Sequence, residues 1–116
     1  MDIYMRLNIL SENNVITQQV YDSISQIINS IKNQYGITIT EENGGMFITH
    51  LSAALTRMNN GEKLNSPDES ILEQLKLEST YDKAVKIKEL IEDICSIKIP
   101  YEEEVFIITH LCTILN

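Results

Sequence analysis

The feature that most constrains this chain is that it repeats itself. Shifted by sixty residues without a gap, residues 20–55 lie over residues 80–115 with twelve identities in thirty-six positions. Tyr21-Asp22 falls on Tyr81-Asp82, Ile27 on Ile87, Ile31 on Ile91, Ile37 and Ile39 on Ile97 and Ile99, Glu42 on Glu102, and Leu55 on Leu115. Shared helical periodicity by itself aligns some isoleucines. It does not place both histidines of the chain, His50 and His110, inside an identical Ile-Thr-His-Leu. Two helix–turn–helix pairs packed together predict a pseudo-two-fold domain.

The helical reading rests on apolar spacing. Ile16, Val20, Ile24, Ile27, Ile28, Ile31 and Tyr35 recur at steps of three and four, one stripe of a helix of about twenty residues, and Gly36 supplies the left-handed stop. A second helix holds Phe47, Ile48, Leu51, Ala54, Leu55 and Met58 and stops at Asn59-Asn60-Gly61. Gly44-Gly45 fits no phosphate loop or dinucleotide fingerprint; it is expected to let that helix start or pack closely. Ser66-Pro67-Asp68-Glu69 reads as a capping box with proline in the first turn, opening a third helix at about 66–76 that links the halves. A fourth runs from about Thr80, with Ala84, Ile87, Leu90, Ile91 and Ile94 inward. A fifth begins near Pro100 and carries Phe106, Ile107, His110, Leu111, Ile114 and Leu115. Residues 1–13 form an N-terminal segment in which Leu7 and Leu10 suit a short helix, and residues 14–116 form the domain. The strand-like runs Ile37-Thr38-Ile39 and Ile97-Lys98-Ile99 are too short for a sheet. The fold expected is all-α, a five-helix bundle of two antiparallel helix pairs.

Composition narrows the function. At 116 residues with 43% apolar residues, the chain can bury a core without disulfides or metal. Cys95 and Cys112 are expected to pack as small hydrophobes. Nine basic residues against seventeen acidic ones leave a net charge of −8, and nucleic-acid affinity needs cations to neutralise phosphates. Lys83, Lys86 and Lys88 cluster, but Asp82, Glu89, Glu92 and Asp93 surround them, which reads as a solvated face. Direct nucleic-acid binding is therefore not expected. Nor is membrane insertion, because no apolar stretch reaches the ~18 residues a span requires. With no signal-peptide pattern at the start, a cytoplasmic protein is expected.

Chemistry concentrates on the two histidines. Imidazole can titrate near neutrality, ligate a metal or accept a phosphoryl group, and it can equally be a packed core residue. A metal site needs further ligands at short spacing, and neither histidine has a second histidine or cysteine three or four residues on, so no metal and no cofactor are expected. No nucleophile elbow is present; no catalytic residues, and no enzyme activity, are expected. Glu103 lies seven residues before His110, two helical turns away, on the imidazole's side of the helix. Arg57 lies seven residues after His50 and shares its face, where a guanidinium could pair with a phosphoryl group or with any of the many carboxylates. Its counterpart in the second half would be position 117, beyond residue 116, so an arginine companion is expected for His50 and not for His110.

The stretches Phe47-Ile48-Thr49-His50-Leu51-Ser52-Ala53-Ala54-Leu55-Thr56-Arg57 and Pro100-Tyr101-Glu102-Glu103-Glu104-Val105-Phe106-Ile107-Ile108-Thr109-His110-Leu111 resemble the two histidine motifs of the PTS regulation domain (PRD) of the bacterial sugar phosphotransferase system. The resemblance covers roughly residues 14–116. Thr49 stands where the family often has aspartate, and with one copy and no nucleic-acid-binding domain the chain is similar to stand-alone members. The resemblance implies five helices in two antiparallel pairs, dimerisation, and phosphorylation of histidines by phosphocarrier or sugar-transport proteins, controlling transcription activators or antiterminators. It makes His50 and His110 the candidate phosphoacceptors and Arg57 a supporting residue, with Thr49, Thr109 and Glu103 as further candidate contacts. The competing expectation is an interaction or dimerisation module whose histidines are structural; a third is a helical enzyme with a pocket of convergent polar groups. Imidazoles that are fully buried and hydrogen-bonded favour the module, and imidazoles exposed beside Arg57 favour the acceptor.

Overall fold

In the computed structural model, which describes residues 2–116, the described chain is helical with no strand. The helices are α1 (Ile3–Glu12), α2 (Gln18–Tyr35), α3 (Glu41–Asn59), α4 (Glu69–Leu75), α5 (Tyr81–Cys95) and α6 (Tyr101–Leu115). The all-α expectation holds, whereas the count is six and not five. The additional element is α1, whose Asp2 side chain caps it by accepting from the Met5 backbone N–H at 2.8 Å. The simple pair-of-pairs architecture also changes, because the chain divides into two compact units of three helices, residues 1–61 and 62–116. In the first, α1 packs on both α2 and α3. In the second, α4 packs on α6 beside the α5–α6 hairpin, so it is a packed member of that unit and more than a linker.

The repeat is visible residue by residue. Helix α2 ends at Gly36 with φ +68°, and α5 ends at Ser96 with φ +53°, the position sixty residues on. Both turns enter the left-handed region, which glycine adopts freely and serine only with steric strain. Next, Thr40 and Pro100 occupy the equivalent N-caps of α3 and α6. Thr40 makes a capping box with Asn43, each side chain bonded to the other's backbone N–H. Pro100 has no such side chain, and α6 instead places Glu102, Glu103 and Glu104 in its first turn, where the helix dipole favours negative charge. The paired isoleucines 27 and 87, 31 and 91, 39 and 99, and 48 and 108 are all buried. Each unit thus builds its core from the inner stripes of its own hairpin, as the periodicity requires.

Two local expectations shift, the start of α4 and the place of Ile16, and Gly44-Gly45 takes the close-packing alternative. Helix α4 starts two residues later than expected, with Asp68 as its cap accepting from the Ser70 N–H at 2.9 Å; an aspartate one residue beyond Pro67 outcompetes Ser66 for the free amides. Gly44 and Gly45 lie inside α3 and are buried, because the helix begins at Thr40 ahead of them. Ile16 precedes the α2 cap Thr17 and is buried as part of the turn into the helix. Cys112 is buried and Cys95 half-buried.

Candidate functional site

Helix α3 carries the first histidine. Phe47, Ile48, Leu51, Ser52, Ala54 and Leu55 are buried, fixing one face of α3 against its unit. His50 falls between these positions and is exposed, while Thr49 and Arg57 are half-buried. Seven residues on one helix put Arg57 about 10 Å along the axis from His50, on nearly the same side. The buried serine, Ser52, satisfies its hydroxyl by donating to the Ile48 carbonyl at 2.7 Å, so nothing polar is stranded beneath the site at that position.

The side of α3 next to His50 is occupied by a residue that sequence reasoning missed. Arg6, on α1, lies across α3 at Glu41, Gly45 and Thr49, three positions spaced one turn apart. Its Nε donates to Glu41 Oε1 and Oε2 at 3.0 and 2.9 Å, its Nη2 forms an ion pair with Glu41, and its Nη1 donates to Thr49 Oγ1 at 2.8 Å. Gly45 makes room for this. A Cβ there would lie 3.1 Å from Arg6 Nη2 and equally close to the Glu41 carboxylate, so the absence of a side chain lets the guanidinium rest on the helix surface. The Arg6 hydrogen bond holds the Glu41 carboxyl below the usual glutamate value, and Glu41 in turn holds the Arg6 guanidinium above its own. Thr49, the residue before His50, is therefore tied to the N-terminal helix.

The second histidine has different surroundings. His110 on α6 is half-buried, and Glu103, two turns earlier, is buried at 2% exposure. Thr109 is exposed and donates to the Val105 carbonyl at 2.7 Å, an intrahelical bond. Val105 stands where Gly45 stands in the first unit, and residues 62–116 contain no arginine. Lys88 belongs to this unit and sits 3.8 Å from both Glu92 and Glu104, while Lys83 and Lys86 are exposed. Glu92 also accepts from the Ile99 N–H at 2.8 Å, closing the α5–α6 turn. Among the described residues there is no group of three His, Cys, Asp or Glu able to hold a metal ion, and no helix is long and apolar enough to cross a membrane.

The two histidine helices, each ending a hairpin and separated by the sixty-residue repeat, match a known family. A profile described as PRD domain fits residues 25–113. This chain belongs to the PRD family. PRD domains are regulatory modules linked to the sugar phosphotransferase system, and the match spans both hairpins with Thr49, His50, Arg57, Glu103, Thr109 and His110. Arg6 lies outside the matched residues. The chain is also 26% identical over 106 residues, 91% of its own length and 88% of the relative's, to the "Uncharacterized protein YhfY" of Escherichia coli (strain K12). No solved structure matches it significantly.

Arg6 was invisible in the sequence because its partners lie 35 and 43 residues away and no local pattern joins them. The available hint was indirect: a glycine pair in a helix interior, where glycine is unfavourable by roughly 1 kcal/mol relative to alanine, signals a close approach by something else.

Proposed function

We propose that this chain is a cytoplasmic regulatory domain of the bacterial sugar phosphotransferase system, phosphorylated on histidine, with His50 as the principal acceptor. One observation carries the choice: His50 is exposed on α3, whereas the core positions Ile48 and Leu51 of the same helix are buried. A structural histidine would be expected to share their burial. In the transfer, the unprotonated ring nitrogen of His50 attacks the donor's phosphorus, a P–N bond forms on His50, and the donor's bond to phosphorus breaks. The ring N–H proton is then released to solvent. The modification adds about one and a half to two negative charges to a chain of net charge −8. Arg57 on the same helix face is suited to receive that charge, and Thr49, held by Arg6, fixes the adjacent turn. The phosphorylation state then sets the strength of a homodimer or partner contact, and through it the activity of a transcription activator or antiterminator.

The half-burial of His110 and the buried Glu103 two turns away favour a second reading for that half, in which His110 is a packed counterpart of His50. Incubation with phosphoenolpyruvate, the general phosphotransferase enzyme and the phosphocarrier tests both readings. Wild type and His110→Ala are expected to take label and His50→Ala to lose most of it. A wild type that takes no label, or a His50→Ala/His110→Ala protein labelled as well as wild type, refutes the phosphoacceptor function.

A further inference from the structure

Each histidine has two neighbours of matching type at four-residue steps, all three residues exposed on α3 and, on α6, Phe106 exposed with Glu102 and His110 half-buried. On α3 the series is Glu42, Met46, His50; on α6 it is Glu102, Phe106, His110. The sixty-residue shift superimposes the two series, carboxylate on carboxylate and imidazole on imidazole, with a large apolar side chain between them. Four residues advance a helix by about 6 Å and return to nearly the same side, so each series forms one continuous strip. The middle residue is the unexpected one. Met46 is 59% exposed and Phe106 47% exposed, although both stand beside buried positions, Phe47 and Ile107. Among the exposed large apolar side chains of the described residues, only these two are related by the repeat.

Resting on the phosphoacceptor reading above, we propose that Met46 and Phe106 are the anchor points at which the phosphoryl-donor protein docks onto each unit. The occupant is a protein surface with an apolar spot ringed by basic side chains around its transferable phosphoryl group. An exposed aromatic or methionine side chain next to the reacting group is the kind of residue that dominates interface energetics. Charge selects the partner's flank. A phosphoryl group brought to a −8 chain, beside Glu42 or Glu102, is repelled unless the donor supplies cations there. A second copy of this chain is a poor occupant. Two copies would each bring a net charge of −8 to the contact, with like charges opposed. The α1 residues Met5 and Ile9 are also exposed but have no reactive group beside them.

The test uses the full chain with Met46→Ala, Met46→Lys, Phe106→Ala and Phe106→Lys. Both positions are exposed, so unchanged thermal unfolding is expected and serves as the control for folding. Initial rates of label transfer from the phosphorylated phosphocarrier are measured against donor concentration. Met46→Ala is expected to raise KM at His50 roughly tenfold with kcat little changed, and Met46→Lys to raise it further and to lose sensitivity to salt. Phe106→Ala and Phe106→Lys are expected to weaken donor binding at α6 in the same order. Normal labelling with unchanged KM in all four variants overturns the docking inference while the acceptor reading stands. Wild type that is never labelled removes the acceptor reading. NMR titration with the unphosphorylated phosphocarrier then still decides the surface: binding to wild type that is lost in the lysine variants supports it, and absent or equal binding overturns it. A variant that changes the sedimentation mass without changing KM assigns the strip to a copy of the chain and also overturns it.

Discussion

Replacing Gly45 with alanine should stabilise the protein less when Arg6 is present than when it is absent. Gly45 is in the interior of α3 with no left-handed backbone requirement, since the positive-φ glycines are Gly36 and Gly61. In an unobstructed helix the change stabilises by about 0.8–1 kcal/mol. Here the new Cβ would stand 3.1 Å from Arg6 Nη2, Glu41 Cδ and Glu41 Oε1. Those atoms belong to one ion pair, and Arg6 is further tied to Thr49, so they cannot give way independently. Either the guanidinium lifts by a few tenths of an ångström or the bonds to Glu41 and Thr49 lengthen, which consumes the helix-propensity gain. In an Arg6→Ala background Glu41 is a first-turn carboxylate free to rotate, and the full gain returns. A double-mutant cycle by urea denaturation is the assay. Gly45→Ala should stabilise Arg6→Ala by about 1 kcal/mol, on the order of 4 °C in Tm for a chain of this size. In wild type the change should be at least ~0.5 kcal/mol less favourable than that, a coupling typical of residues in contact. The m-value should stay constant across the cycle. If the two substitutions add within about 0.3 kcal/mol, the claim that Gly45 exists to admit Arg6 is wrong.

Three further outcomes follow from the same geometry. The Arg6 hydrogen bond depresses the Glu41 carboxyl below its ordinary value of 4.5; the stability this provides is therefore complete above that pH and is lost as pH falls through the depressed folded value. Protection factors of α1 amides against hydrogen exchange in wild type should fall below pH 4.5 more than in Arg6→Ala, and identical acid profiles of protection would contradict the linkage. Exchanging the helix stops should have opposite signs: Ser96→Gly removes left-handed strain and is expected to stabilise by about 1 kcal/mol, and Gly36→Ser to destabilise by a similar amount, both read from urea midpoints. Ile48→Ala and Ile108→Ala, each removing a fully buried side chain at equivalent positions, should each cost about 2–5 kcal/mol; a loss under 1 kcal/mol at either would mean that unit is not organised around its repeated isoleucine.

Much of the architecture could be read from spacing. The stripes through Val20–Ile31 and Phe47–Leu55, the stop at Gly36, and the start after Pro100 are local consequences of periodicity, of glycine's left-handed backbone and of proline's missing donor. The histidine pairing could be read because a repeat displays itself as identity at a fixed offset. The late start of α4 was missed because Ser66 and Asp68, on either side of Pro67, both suit a cap, and only the backbone path decides between them. The packing of α4 on α6 and of α1 on α3 was missed for another reason: short helices carry little periodic signal, and their partners are far away in the chain.

By itself, then, the sequence determined that the protein is helical, that it is built twice over, and that one histidine in each copy occupies the same place. Periodicity and self-similarity are one-dimensional properties, so they survive without coordinates. The sequence also placed an arginine on the face of His50 only, but tertiary structure alone decided how the surroundings of the two histidines differ. It leaves His50 exposed and His110 half-buried, and it sets Met46 and Phe106 outward beside them. It also carries Arg6 from the N-terminal helix across Gly45 to Glu41 and Thr49. Exposure and an ion pair spanning 35 residues depend on which surfaces meet when the helices pack, and no local pattern encodes that meeting.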